Sequence, residues 1–266
     1  MYSGIYRLGE EELNEFFIDY TISNHETLIN EYVLAEKQLY KFNGKEYTRV
    51  EYPIIENKWT GTVKPKNIEQ QAALDMLLDE NSTIKLISGT WGTGKTFLEI
   101  ITALKLLEEG KFDKITWIRN NVQVANTDPI GSLPGSELDK ILPYVMPMAD
   151  HCGGIDGVLK LLESGKLEVI PLGFLRGRSI RNSIIISTEA ENLTKEHIQL
   201  LIGRVDAGSN LWLDADTRQR DRIIFDKSKG VETLIERLKG NPLFGYVHLI
   251  KSERSKTASL ADLLND

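Results

Sequence analysis

The feature that most limits how this chain can fold is the run Gly89-Thr90-Trp91-Gly92-Thr93-Gly94-Lys95-Thr96, which satisfies the spacing G-x-x-x-x-G-K-[ST] in full. It follows an apolar stretch, Thr83 to Ser88 (TIKLIS), and precedes a segment of helical periodicity that reaches Glu109 and stops at Gly110. Glycines let such a loop curl until successive N–H groups face one anion, and the helix that follows adds the positive end of its dipole. A lysine at the penultimate position reaches the outer phosphates, and the closing Ser or Thr places its hydroxyl on magnesium. The run therefore predicts a nucleoside-triphosphate site in which the residues from Gly89 to Thr96 cradle phosphate, Lys95 acts on the transferred group and Thr96 is a metal ligand. A dinucleotide fingerprint is excluded, because Phe97 stands where its third glycine belongs.

Around the loop, apolar strands and helices alternate, the pattern of a mostly parallel sheet with helices on both faces. A helix is predicted over Ile68 to Leu78, and buried strands over Lys114 to Ile118, Leu167 to Pro171, Ser183 to Ser187, Asn210 to Leu213 and Tyr246 to Ile250. The expected fold is α/β, a P-loop NTPase with five or six strands in one sheet. Residues 1–60 read differently: Leu28 to Glu36 and Tyr47 to Ile55 look like short strands, with a turn at Phe42-Asn43-Gly44-Lys45. This predicts a small β-rich N-terminal module. Trp59 to Asn67 carries Gly61 and Pro65 without apolar periodicity, so the boundary is placed there and the NTPase domain is expected over residues 61–266.

Composition narrows the function. The single cysteine, Cys152, excludes an intrachain disulfide and a thiolate zinc site, and the four histidines form no ligand motif. A net charge of −7 argues against a protein that coats nucleic acid by bulk electrostatics. Local basic groups remain at Lys64 and Lys66, at Arg176, Arg178 and Arg181, and at Arg218, Arg220 and Arg222. No stretch approaches the roughly 18 apolar residues that cross a bilayer. The first residues are acidic where a secretory signal is basic, so a cytoplasmic location without membrane association is expected.

Several short motifs, in order, resemble the PhoH family of ATPases related to superfamily-one helicases. They are Lys64-Pro65-Lys66-Asn67-Ile68-Glu69-Gln70, Gly131-Ser132-Leu133-Pro134-Gly135, Pro171 through Arg178 (PLGFLRGR) and Glu253-Arg254-Ser255. The resemblance covers about residues 60 to 266, and the PIN nuclease domain of longer members is absent from this sequence. It implies ATP as the nucleotide, with Mg²⁺. Gln70, in the pattern formed with Asn67 and Ala73, would contact adenine, since a carboxamide offers both a donor and an acceptor. Asp216 and Gln219 fall where the family senses the γ-phosphate. Arg254 matches a late arginine that stabilises charge on the transferring phosphoryl, from its own subunit or a neighbour's. Arg119 falls where related proteins contact a phosphate backbone, whereas Trp117 and Trp212 are read as core.

The chain departs from the family at one point. Members carry Asp-Glu-Ala-Gln-Asn after the strand that ends at Ser187, and this chain reads Thr188-Glu189-Ala190-Glu191-Asn192. The aspartate that holds magnesium's water shell is replaced by Thr188, although Glu189 remains in place to orient the attacking water as general base. Glu191 or Asp216 is a candidate for part of the lost role. The leading expectation is an ATPase acting with RNA or single-stranded DNA, as a homo-oligomer such as a hexameric ring. A hydrolysis-impaired, ATP-binding oligomeric scaffold is the alternative. A small-molecule kinase is disfavoured, because no Arg-rich lid or acceptor pocket is evident.

Overall fold

The computed structural model describes residues 2–119, 137–216 and 229–253, with side chains throughout except at 137–141. The chain opens with β1 (Ile5–Arg7), α1 (Glu10–Asp19), β2 (Tyr32–Ala35), β3 (Gln38–Phe42) and β4 (Tyr47–Arg49). These strands form one sheet in the order β1-β2-β3-β4, the first pair parallel and the others antiparallel. The strand expected over residues 28–36 is shorter because Asn30 and Glu36 sit at φ 65° and 55°, which ends extended backbone on either side of β2. The stretch from Tyr47 to Ile55 divides at Pro53, which has no N–H for a ladder. Its last residue opens a separate hairpin of β5 (Ile55–Asn57) and β6 (Gly61–Val63). The predicted turn is present: Asn43 Oδ1 accepts the N–H groups of Lys45 at 2.9 Å and Glu46 at 3.0 Å.

The second sheet has six parallel strands: β7 (Ile84–Gly89), β8 (Lys114–Arg119), β9 (Leu167–Pro171), β10 (Ser183–Ser187), β11 (Asn210–Ala215) and β12 (Phe244–Leu249). Their order is β12-β7-β11-β10-β8-β9, so β11 lies between the loop-bearing strand β7 and β10. Each predicted buried strand is found. Alternate residues face opposite helical layers, which is why these strands read as continuous apolar runs. On one face, Ile87, Trp117, Ile186 and Trp212 pack with α2 (Ile68–Leu78), α3 (Lys95–Glu108), α4 (Glu137–Ala149) and α5 (Ile155–Glu163). On the other, Leu86, Ile118, Ile185 and Leu213 pack with α6 (Lys195–Ile202) and α7 (Gly230–Leu238). Trp117 and Trp212 are fully inside, as expected of core residues. Among the described residues no helix is long and apolar enough to cross a membrane.

The N-terminal sheet is bound tightly to this body. Tyr32 donates its hydroxyl to Asp75 at 2.8 Å, Lys41 pairs with Asp79 at 2.6 Å, and Asn30 Nδ2 donates to the carbonyls of Pro242 and Phe244, each at 3.0 Å. Ile55 of the β5–β6 hairpin joins the main core, and Asn57 Nδ2 donates to Ile101 O in α3 at 3.2 Å.

Candidate nucleotide site

Because all six strands are parallel, their carboxyl ends converge at one edge, which is where ligands bind in open α/β sheets. The loop leaves β7 there. Gly89 is required by close approach: a Cβ would stand 2.6 Å from Leu249 O. Gly94, the residue before α3, has φ +94°, and a Cβ on it would lie 3.2 Å from Gln70 Nε2.

The loop is braced from several sides. Thr93 Oγ1 donates to Thr90 O at 2.8 Å, Gln70 Nε2 donates to Thr93 O at 3.0 Å, and Gln70 Oε1 accepts Lys66 N–H at 2.9 Å. Asn67 caps α2 by accepting Gln70 N–H at 2.9 Å, and its Nδ2 donates to Glu253 Oε1, also at 2.9 Å. Glu253 N–H in turn donates to Gly92 O at 2.9 Å, which docks the chain after β12 on the loop. Lys95 Nζ folds back on the carbonyls of Gly89 at 2.8 Å and Thr90 at 3.1 Å.

Across a cavity of about 320 Å³, Trp91, Gly92 and the residues from Gly94 to Phe97 face Glu189, Glu191, Asp214 and Asp216. Thr96 donates its hydroxyl to Asp214 Oδ2 at 2.5 Å, and Asp214 Oδ1 accepts the backbone N–H of Glu189 at 2.9 Å. Glu189 is exposed to the cavity side and holds φ +55°, a left-handed conformation that a non-glycine residue keeps only when its surroundings enforce it. Glu191 accepts the N–H of Asp216 at 2.9 Å, and burial pushes its carboxyl up to about 8. At neutral pH Glu191 is therefore mostly uncharged, close in character to the neutral glutamine that the family carries there. Burial also raises Asp214, against the Thr96 hydroxyl, the Lys95 charge and the Glu189 N–H.

Two residues of this site were not singled out by the sequence. Asp214 closes the apolar run Asn210 to Leu213, and a carboxylate directly after a buried strand was the available signal. Glu99, one turn beyond Lys95, is wholly buried with no hydrogen-bond partner for either oxygen; burial and then the nearness of Asp214 push its carboxyl well up. A charge inside the apolar stretch Leu98 to Ile101 was the signal in that case.

The loop residues, Gln70, Glu189 and Asp216 are thus brought to one edge, while Gln219, Arg254 and the Gly131 to Gly135 motif lie outside the described residues. Arg119 points elsewhere: its guanidinium lies 3.6 Å from the centroid of the Tyr144 ring and donates to that hydroxyl. Cys152 is buried, and its thiol is pushed up to about 11, as suits an inert core residue. The donor set fits a magnesium held through phosphate oxygens and waters. Among the described residues no group of three or more His, Cys, Asp or Glu can chelate a metal, whereas a hydroxyl with a carboxylate behind it is what a phosphate-borne magnesium needs.

Comparison with known proteins agrees with this geometry. Residues 62–262 match the family model described as PhoH-like protein. Protein PhoH2 of Bacillus subtilis (strain 168) is 37% identical over 214 residues, which cover 76% of this chain and 48% of that protein. Protein PhoH2 of Mycolicibacterium smegmatis is 36% identical over 201 residues, covering 74% and 46%. A PhoH-like protein of Mycobacterium tuberculosis (strain ATCC 25618 / H37Rv) is 31% identical over 163 residues, covering 60% and 45%. The chain spans about half the length of the curated relatives it matches. With its phosphate loop at the edge of a six-stranded parallel sheet and a family match over most of its length, the chain belongs to the PhoH-like proteins, a family of P-loop NTPases.

Proposed function

We propose that this chain binds ATP with magnesium at the loop and hydrolyses it in connection with RNA or another single-stranded nucleic acid. The observation that carries the reading is the bond chain from Thr96 through Asp214 to the backbone of Glu189, which joins the residues read here as metal ligand and general base at one cavity with Lys95. The loop N–H groups and Lys95 hold the phosphates, and Lys95 must first leave the carbonyls of Gly89 and Thr90. Thr96 would hold magnesium, which would supply charge neutralisation on the phosphates. Glu189 orients the attacking water and accepts its proton.

Asp216 and Gln219 sense the γ-phosphate, and Arg254 stabilises the transferring group. Gln70 reads adenine by exchanging one of its two present bonds, to Thr93 O or Lys66 N–H, for the base edge. The helicase relationship favours nucleic acid as partner, with contacts from local basic residues such as Lys64 and Lys66, because the net charge of −7 gives no bulk attraction. We further infer a homo-oligomer in the cytoplasm, a hexameric ring if Arg254 serves a neighbour's site, with residues 1–60 as a module on the ATPase domain of residues 61–266. The second reading, a slow or inactive ATP-binding scaffold, draws on Thr188, which is half-buried and brings no charge to the metal.

Steady-state phosphate release from ATP with magnesium, with and without single-stranded RNA, tests this. Turnover that rises with RNA and disappears in Lys95→Ala is the expected result. Negligible turnover with retained ATP binding would move the scaffold reading into first place.

A further inference from the structure

We propose that Asp214 is the residue that holds the water shell of magnesium in this chain, so that the carboxylate missing at Thr188 has moved one strand across the sheet. The assignment rests on the reading of the loop as a magnesium-nucleotide site. Strand β11 lies between β7 and β10, and the register pairs Ser187 with Leu213. The next residues along the two parallel strands, Thr188 just past the end of β10 and Asp214 still within β11 and paired with Ile87 of β7, therefore stand side by side, and Asp214 is on the strand nearer the loop. It needs no extra reach: its Oδ2 already takes the Thr96 hydroxyl at 2.5 Å, one bond from the proposed metal position.

The electrostatics point the same way. Asp214 is 2% exposed, and burying a carboxylate is costly unless a cation or several donors compensate it. Its hydrogen bonds come from one hydroxyl and one backbone N–H, and among the described residues it makes no ion pair. Lys95 directs its ammonium to carbonyls of the loop. A buried carboxylate so sparsely compensated, beside one loop lysine, is completed by a divalent cation brought in on phosphate. A purely structural Asp214 would need only to fix Thr96 and Glu189, and asparagine could keep both contacts, its Oδ1 accepting the Glu189 N–H and its Nδ2 donating to the Thr96 hydroxyl oxygen.

Calorimetric titration of ADP into the full chain, in magnesium and in EDTA, separates the two roles. The native chain should bind ADP more tightly with magnesium. In Asp214→Asn the metal-free affinity should be kept or tightened, while the gain from magnesium falls by ~10-fold or more, the usual loss when an outer partner of a metal is removed. The exchanged pair Thr188→Asp/Asp214→Thr should recover most of the gain. A gain undiminished in Asp214→Asn would overturn the assignment. Should Asp214→Asn bind no ADP even in EDTA, the exchanged pair decides: a restored gain supports the assignment, and binding in EDTA with no gain overturns it. A native chain that binds no ADP under either condition would defeat the reading of the loop as well.

Discussion

The two ends of the parallel sheet treat buried charge in opposite ways. At the amino end, Lys85 of β7 is 1% exposed, yet its ammonium donates to the carbonyls of Leu77 at 2.8 Å and Asp79 at 2.6 Å, closing the end of α2. It also lies over the Trp212 ring, 5.5 Å from the centroid, and burial brings its pKa down to about 7. Asp79 beside it accepts from Lys41 and from Asn81, and against burial these bonds and the Lys41 charge draw its carboxyl down to about 2. At the carboxyl end, among the described residues, Glu99 has no hydrogen-bond partner and Asp214 makes no ion pair, and Glu191 is mostly uncharged at neutral pH. A polar cluster that serves the fold alone satisfies its groups internally; one left incomplete is where a ligand contributes the missing partners.

The contrast can be broken most sharply at Glu189. Glu189→Gln should lower ATP turnover by about 10²- to 10⁴-fold, the usual worth of a positioned general base, with ATP affinity little changed. Turnover unaffected in that variant would take the carboxyl end's chemistry away from this residue.

A smaller effect compares the ends directly in denaturant midpoints. Lys85→Met strands two buried carbonyls and should cost about 1–3 kcal/mol. Glu99→Met removes an unpaired buried acid of similar size and should stabilise the chain. Equal losses in both variants would mean that Glu99 is as well compensated as Lys85.

The smallest effect is one of pH. Glu191 has a raised folded-state pKa, so folding is opposed as pH rises from its unfolded value, near the ordinary 4.5, to about 8, above which the full penalty is present. Glu191→Gln should therefore raise Tm more at pH 9 than at pH 6, and an increment independent of pH would disprove the shift.

Much of the central sheet was legible because its strands are buried on both faces and bounded by turns; Leu167–Pro171 and Ser183–Ser187 are found at the residues predicted. Helix Ile68–Leu78 is likewise found at the residues predicted, and Asn67 caps it. Helix α1 was not, since Phe16 is its single buried residue and three glutamates open it. Strand β3 was hidden because its residues are mostly half-buried and lack a clean alternation. At the site, the loop announced itself through spacing. Asp214 did not, because its meaning depends on β11 lying beside β7, and strand order is a long-range property that no local window carries. Thr188 looked like a loss from the sequence alone for the same reason.

The way Asn30 is held also sets an order of events in the life of the chain. Its amide is anchored by carbonyls at positions 242 and 244, more than two hundred residues later, and Ser3 O accepts from His248. During synthesis the first sheet meets α2 early, through Asp75 and Asp79, but its contacts with β12 wait until that strand is made, and contacts so distant in sequence close slowly. A sheet made before the parallel one is therefore fully seated only after it, which makes the closing of β1 and β2 on β12 a seal on completed assembly rather than a seed for it.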